Sequence, residues 1–346
     1  MAAAQGKMEE LKKRILYTIF MLCVFRVASQ IPTPGVNRTA LMAFFEGHKG
    51  GIFGMLSTFS GGALERFSVV ALGIMPYISS SIIFSLLTAT FPRLAEIQKE
   101  PDGYKKINKW TRYLTVVLCI IQGTGLSTQL QGANSPGGTP VVLNPGMLFV
   151  VVSVITLTAG TMFVMWLGEQ ITERGIGNGI SLIIFAGIAA GIPTGTFNTI
   201  RLFRNGQLSG FTLLLVGLVI FATFWIIIYI ERAFRKVPIQ YAKKVIHNRV
   251  YGGQSTHLPI KINIAGVIPP IFAYSLLAFP LTIGNFVPDG NPIKPYIQTI
   301  INSLSPGQVL YNVVFVGMII FFAYFYVPIQ FKTEDISENL KKNGGF

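Results

Sequence analysis

Eight apolar runs recur along the chain, each close to the roughly 20 helical residues that cross about 30 Å of hydrocarbon. They fall near Ile15–Ile31, Phe67–Phe91, Tyr113–Leu130, Met147–Leu167, Ile176–Ile192, Phe211–Ile230, Ile262–Ile283 and Val309–Phe331. In lipid every backbone N–H and C=O must find a partner within the protein, so only helices and closed barrels can span. None of the runs alternates with the period of two that a barrel strand needs. The expected fold class is therefore an all-α polytopic membrane protein. Composition agrees: 51% of the 346 residues are hydrophobic and only 12% are charged, against about 25% charge in soluble domains. Cys23 and Cys119 both lie inside apolar runs, and His48, His247 and His257 are scattered. That pattern argues against a disulfide scaffold or a metal cluster, and no cofactor is expected.

Lysine and arginine orient such a chain, because basic loop residues are retained on the cytoplasmic side. The N-terminus, the Arg93–Arg112 loop, Arg174, the Arg232–Lys261 loop and the tail after the eighth run hold 21 of the 28 basic residues. The opposite side holds Arg38, Lys49, Arg66, Arg201, Arg204 and Lys294. Both ends are predicted to be cytoplasmic. The net charge of +14 is then mostly one face of a membrane protein, which carries +10 after its 11 acids are subtracted. The first run resembles a signal peptide in its basic start, but Arg26 interrupts it and seven further runs follow, so it reads as a retained span. Arg26 itself is expected to snorkel toward the outer interface.

Between the first two runs, Gly51–Leu64 is apolar but too short to span, and Glu65 and Arg66 follow at once. One reading is an amphipathic helix lying on the outer surface. The other is a segment folded back into a cavity between helices, the one place where irregular backbone is tolerated at membrane depth.

Two runs share a pattern of Gly, two apolar residues, Pro, any residue and Ile: Gly73–Ile78 in the second and Gly266–Ile271 in the seventh. The loop charges give these runs opposite polarity, as in an inverted repeat offset by five helices. Proline inside a helix opens the hydrogen-bond ladder, and interrupted helices in corresponding halves point to a central pathway. The side chains available there are isoleucines, with Ser79, Ser80, Ser81, Tyr274 and Ser275 nearby and no ionisable carboxylate, lysine or histidine. A coupled transporter keeps such a group near the midplane. An apolar constriction instead blocks ions by dewetting and deforms around a bulky guest. Two functions follow: a passive channel for a bulky guest, or a secondary transporter of a small solute.

Gly175–Gly179 follows a membrane helix rather than a strand, so it reads as a tight turn between spans and not as a nucleotide loop. No catalytic motif occurs, and an enzyme is not expected. The Glu231–Lys261 loop is longer than a turn requires and strongly basic, which suits either anionic lipid or a cytosolic partner.

Several blocks in order give the chain a resemblance to the bacterial SecY family of protein-conducting channels: Phe25–Arg26 with Ile31–Gly35, Phe59–Leu64, Gly73–Ile78, Gly168–Ser181, Gln254–Pro259 and Gly266–Pro269. The resemblance implies two helical halves, residues 1–200 with five spans and residues 201–346 with three. It makes 51–64 a plug, including Phe53, Met55, Leu56, Phe59, Ser60, Gly61, Gly62 and Leu64. It implies a pore ring of Ile74, Ile78, Ile184, Ile188, Ile268 and Ile271, and a lateral gate with Ser79, Gln122, Ser275 and Phe279. Arg232, Arg235, Lys236, Lys243, Lys244, Arg249 and Lys332 resemble surfaces that dock the ribosome and the SecA motor. SecE and SecG are the implied membrane partners, signal peptides and nascent polypeptides the implied cargo, and the bacterial plasma membrane the implied location. The family continues through an arginine-bearing loop into two further helices, so the chain is expected to be about four fifths of a complete subunit.

Overall fold

A computed structural model of the chain describes residues 2–47, 57, 60–135, 137–239, 244–246, 249–251, 256–284, 295–296, 299, 303–304, 308–331 and 333–342. The helices are α1 (Ala2–Ala28), α2 (Arg38–Gly47), α3 (Met75–Thr90), α4 (Pro92–Lys99), α5 (Gly103–Gln131), α6 (Met147–Arg174), α7 (Gly179–Ala189), α8 (Gly191–Arg204) and α9 (Gly210–Glu231). After four short strands, β1 (Phe234–Ile239), β2 (Lys244–Ile246), β3 (Arg249–Tyr251) and β4 (Thr256–Lys261), come α10 (Ile268–Gly284), α11 (Val309–Gln330) and α12 (Thr333–Lys342). Among the described residues, five segments are long and apolar enough to span: α5, α6, α7 with α8, α9, and Val309–Pro328 of α11. The other three predicted runs fall on α1, α3 and α10.

The chain forms two compact units, Met1–Phe197 with Tyr274–Val314, and Asn198–Ala273 with Phe315–Phe346. In the first unit α5 and α6 run antiparallel, tied at one end by Arg112 Nη2 donating to Glu169 Oε1 (2.7 Å) and at the other by Gln131 Nε2 donating to the Gly146 carbonyl (2.8 Å). The buried stripe of α5 repeats every fourth residue, Thr111, Thr115, Cys119, Gly123 and Ser127. Small residues at that spacing let backbones approach closely, which drives helix association in lipid, where apolar burial alone gains nothing. The α6 stripe includes Ser153, Leu157, Gly160, Thr161, Val164 and Gly168.

One end of this unit is closed by a cluster in which Leu41 and Phe45 of α2 join Leu64, Phe67, Val141, Val142, Phe149 and Leu157. Three backbone ties hold it, from Asn37 N–H to the Val141 carbonyl, from Leu143 N–H to Gly35 and from Thr33 N–H to Phe67.

The Gly168–Ser181 block acquires a structural reason. Asn178 caps α7 by accepting from Ser181 N–H. Thr172 Oγ1 accepts from Gly179 N–H (2.9 Å), and Thr18 Oγ1 of α1 accepts from Ile176 N–H (3.2 Å). A Cβ on Gly179 would overlap the Gly168 carbonyl. The tight turn expected from sequence is thus clasped by threonines from two helices. Thr18→Val keeps the shape but leaves Ile176 N–H unpartnered, and is expected to cost about 1–3 kcal/mol. Thermal unfolding of the purified protein in detergent checks this.

The second unit contains α9, on which no side chain is buried, as expected of a helix that is apolar all round and surrounded by lipid. The described residues of the long basic loop form strands: β1 pairs antiparallel with β4, Phe234 opposite Lys261 through Ile239 opposite Thr256, and β2 pairs with β3. Side chains alternate across a strand. Lys236, Lys261 and His257 therefore share one face of the ribbon, and Val237, Ile239, Leu258 and Ile260 share the other. Asn263 Nδ2 donates to Glu231 Oε1 (3.0 Å), fastening the base of the ribbon to the end of α9.

Candidate functional site

The second and seventh runs differ from their expected form in the same way. Phe67–Ile74 is a succession of turns and α3 begins only at Met75; Ile262–Val267 is non-helical and α10 begins at Ile268. The prolines are therefore not mid-helix. Pro76 and Pro269 are each the second residue of their helix, where the missing N–H costs nothing and the fixed φ suits the first turn. In both copies the pattern's glycine is left-handed, Gly73 at φ +56° and Gly266 at φ +60°. The repeat is thus a local structure as well as a sequence match: a reversed glycine, then a helix starting on the proline. α3 ends equally sharply, since Phe91 is extended ahead of Pro92 and α4 departs at 104°, as expected for a residue preceding proline.

The segment before α3 is folded into the first unit. Ser57, Ser60, Ala63 and Leu64 are buried, which corrects the surface-helix reading. Gly61 and Gly62 are consecutively left-handed (φ +66° and +79°), a bend that residues with a Cβ adopt only with strain. The bend is closed by Gly62 N–H to the Ser57 carbonyl (2.8 Å), Leu64 N–H to Ser60 Oγ (3.2 Å) and Ser68 N–H to the Ala63 carbonyl (2.9 Å). Phe53, Met55, Leu56 and Phe59 lie outside the described residues.

Three contacts seat this bend. Arg26 Nη1 donates to the Gly61 carbonyl (3.0 Å), so the half-buried Arg26 does not snorkel to solvent but holds a backbone acceptor that sequence gave no means of naming. A Cβ on Gly61 would stand 2.9 Å from Gly187 Cα, and one on Gly73 would touch Ser60 at 4.0 Å. Gly187 lies between Ile184 and Ile188 on α7, and Gly73 directly precedes Ile74. Within the first unit the bend therefore abuts residues adjoining two of the six expected ring positions, Ile74 and Ile188, with Ile78 and Ile184 one helical turn from these. Ile74 and Ile78 are buried, Ile184 is half-buried and Ile188 is 41% exposed. Ile268 and Ile271 belong to the second unit, half-buried beside Phe272, which packs edge-on against Phe322 and Tyr326.

Of the expected gate residues, Ser79, Gln122 and Ser275 are half-buried, and the side chain of Phe279 lies outside the described residues. Arg232, Arg235 and Lys236 are exposed at the end of α9 and along β1. Lys244 and Arg249 open β2 and β3, while Lys243 and Lys332 lie outside the described residues. Among the described residues no group of three or more potential metal ligands occurs.

A bundle of spans with a non-spanning segment seated among broken helices is the build of a helical membrane channel. The family model for SecY matches residues 68–346. The chain is 49% identical to the protein translocase subunit SecY of Buchnera aphidicola subsp. Acyrthosiphon kondoi over 99% of its own length and 96% of that protein. It is 49% identical to the Escherichia coli K12 subunit over 99% of its own length and 77% of that protein. Among solved structures, a protein-conducting channel superposes with a TM-score of 0.55 at 19% identity, covering 80% of this chain and 58% of that one. The Sec61 channel of a canine ribosome–channel complex does so with a TM-score of 0.55, covering 80% and 59%. The chain belongs to the SecY family. It is a central subunit of a protein-translocation channel and not an enzyme.

Proposed function

We propose that the chain conducts unfolded secretory polypeptides through an apolar constriction and releases membrane segments sideways into lipid. The observation that carries this is the seating of the 57–64 bend against Gly73 and Gly187, beside Ile74, Ile78, Ile184 and Ile188. In this reading 51–64 is a plug, and the four isoleucines with Ile268 and Ile271 form a ring that dewets when empty and yields around a chain of any sequence. Only weak, non-directional contacts line such a ring, so no side chain of the cargo is held. Ser79, Gln122, Ser275 and Phe279, on the second, third and seventh runs, border the lateral exit into lipid.

The driving energy comes from outside the channel. The face of the ribbon bearing Lys236, Lys261 and His257, with Arg232, Arg235, Lys243, Lys244, Arg249 and Lys332, suits anionic surfaces of a ribosome or of the SecA motor, and SecE and SecG complete the membrane complex. A related channel occurs in a ribosome complex, which supports the first of these partners. The excess of Lys and Arg on one set of loops supports a bacterial plasma membrane protein with its N-terminus in the cytoplasm.

The test is a crosslink. Ile78→Cys in the complex is expected to form a disulfide with a cysteine placed in a secretory substrate stalled during transit. No crosslink from a complex that still engages the substrate would overturn the reading.

A further inference from the structure

We propose that Arg26 and Arg66 form a binding site for a small oxyanion of the phosphate class at the Gly61–Gly62 bend. Their guanidinium groups flank consecutive residues: Arg26 Nη1 lies 2.9 Å from where a Gly61 Cβ would stand, and Arg66 Nη1 lies 3.5 Å from a Gly62 Cβ. They are close enough for each charge to act on the other. Arg26 spends a donor on the Gly61 carbonyl. Arg66 Nη1 is shut off from solvent and has no hydrogen-bond partner among the described residues.

Two cations packed together in a membrane protein, one with an unsatisfied buried donor, form an arrangement that burial penalises on two counts. Buried ionisable groups in membrane proteins are otherwise paired. The segment leading into the bend supplies no counter-charge. Residues 47–64 contain no Asp or Glu, and their only ionisable side chains are His48 and Lys49. Among the described residues Glu65 forms no ion pair with either arginine.

The chemistry of the pair selects the ligand. Each planar guanidinium presents parallel N–H donors that match two oxygens of a phosphate or similar oxyanion. The Gly62 N–H is already bonded to the Ser57 carbonyl, so the two guanidinium groups are the donors the site offers. An oxyanion bridging Arg26 of α1 to Arg66 ties the bend to α1 a second time, beside the direct bond to Gly61. Its consequence for gating rests on the plug reading; the binding itself does not, and the experiment reads binding alone.

The membrane complex is reconstituted into nanodiscs of neutral phosphatidylcholine, and hydrogen exchange is followed at the Gly62, Leu64 and Ser68 amides, which close the bend. Sodium phosphate replacing sodium chloride at equal ionic strength is expected to slow exchange with a saturating dependence. The plateau should be on the order of tenfold, the size of one charge-assisted hydrogen bond. A parallel set of discs containing phosphatidylglycerol, without free phosphate, separates the sources: slowing there assigns the site to a lipid headgroup. Arg66→Gln abolishes the response, and Arg66→Lys, which keeps the charge but loses the fork, weakens it. The proposal is overturned if neither phosphate nor phosphatidylglycerol slows exchange in the unsubstituted protein, if the slowing does not saturate, or if Arg66→Gln responds like the unsubstituted protein. The first two outcomes need no variant, so misassembly of Arg66→Gln leaves the test intact.

Discussion

Leucine at Gly160 is expected to abolish accumulation of the chain in the membrane, while alanine at Gly217 leaves its level unchanged. A Cβ on Gly160 would overlap the Val69 carbonyl oxygen and come within 3.2 Å of Val69 Cγ1. The obstacle is backbone, and it has nowhere to go: Val69 N–H is bonded to the Ile31 carbonyl (2.9 Å), Ser68 N–H to Ala63 (2.9 Å), and Ser68 bridges Pro32. α6 cannot retreat either, because the buried Ser153, Leu157, Thr161 and Val164 on the same stripe hold it against its neighbours. Overpacking a core that can shift costs about 1–3 kcal/mol, and this one can shift on neither side. The loss therefore lies at or above that range, against a total stability of roughly 5–15 kcal/mol. Gly217 on α9 has nothing within 4 Å of its Cβ direction, so the methyl group of alanine meets open space there. Membrane levels at steady state and the melting temperature of the purified chain provide the measurement. Gly160→Leu at full level with unchanged melting would show that the 67–74 turns are not held as described.

What the sequence revealed and what it hid divide along physical lines. Span positions were legible because the solvent imposes them: twenty apolar residues without charge have few other fates in a membrane, and the cores of all eight runs are helical. Their ends were not. Phe67–Ile74 is as apolar as the helix that follows it, yet one left-handed glycine, Gly73, and a proline at the helix start decide its conformation. Hydropathy counts those residues as ordinary membrane composition. The fifth run was drawn to end at Ile192, before Pro193, whereas a second helix, α8, carries the chain on to Arg204. The basic loop announced its charge but not its form, since β1 and β4 are joined by a register between residues some twenty positions apart, Phe234 with Lys261 at the far end. The bend itself was half visible. Its length and double glycine excluded a span, but the choice between surface and interior turned on Arg26, Gly73 and Gly187, three residues far away in sequence whose role is to leave room or to donate one hydrogen bond. A residue that acts by being small leaves no mark on hydropathy or charge.

Valine at Gly61 is expected to turn a sealed channel into a leaky one without loss of protein. Gly61 is left-handed at φ +66°, a conformation that costs a residue bearing a Cβ about 1–2 kcal/mol, and a β-branched one at least as much. The new Cβ would also stand 2.9 Å from both Arg26 Nη1 and Gly187 Cα, and 3.1 Å from the Gly187 carbonyl oxygen. The guanidinium is the end of a flexible side chain and can swing away, at the cost of its bond to the Gly61 carbonyl. Gly187 is helix backbone within α7, with Ile183 buried one turn before it, and cannot. The bend must then leave its seat, losing a charge-assisted hydrogen bond worth about 1.5–3 kcal/mol as well as the contact of Ser60 with Gly73 and the packing of Leu64 in the cluster with Leu41. A total of about 3 kcal/mol multiplies the unseated population on the order of a hundredfold. Ion conductance of the reconstituted complex without substrate should rise by a comparable factor. Gly62→Ala separates the causes: it carries the same kind of backbone strain at φ +79°, but its Cβ meets only the end of the Arg66 side chain, at an ordinary van der Waals distance of 3.5 Å. It should therefore leak by no more than about tenfold, the share due to strain alone. Equal leakage from the two variants would place the effect in the glycine bend itself and not in its contact with α7, and silence from both, at normal protein levels, would mean that the seal lies elsewhere in the channel.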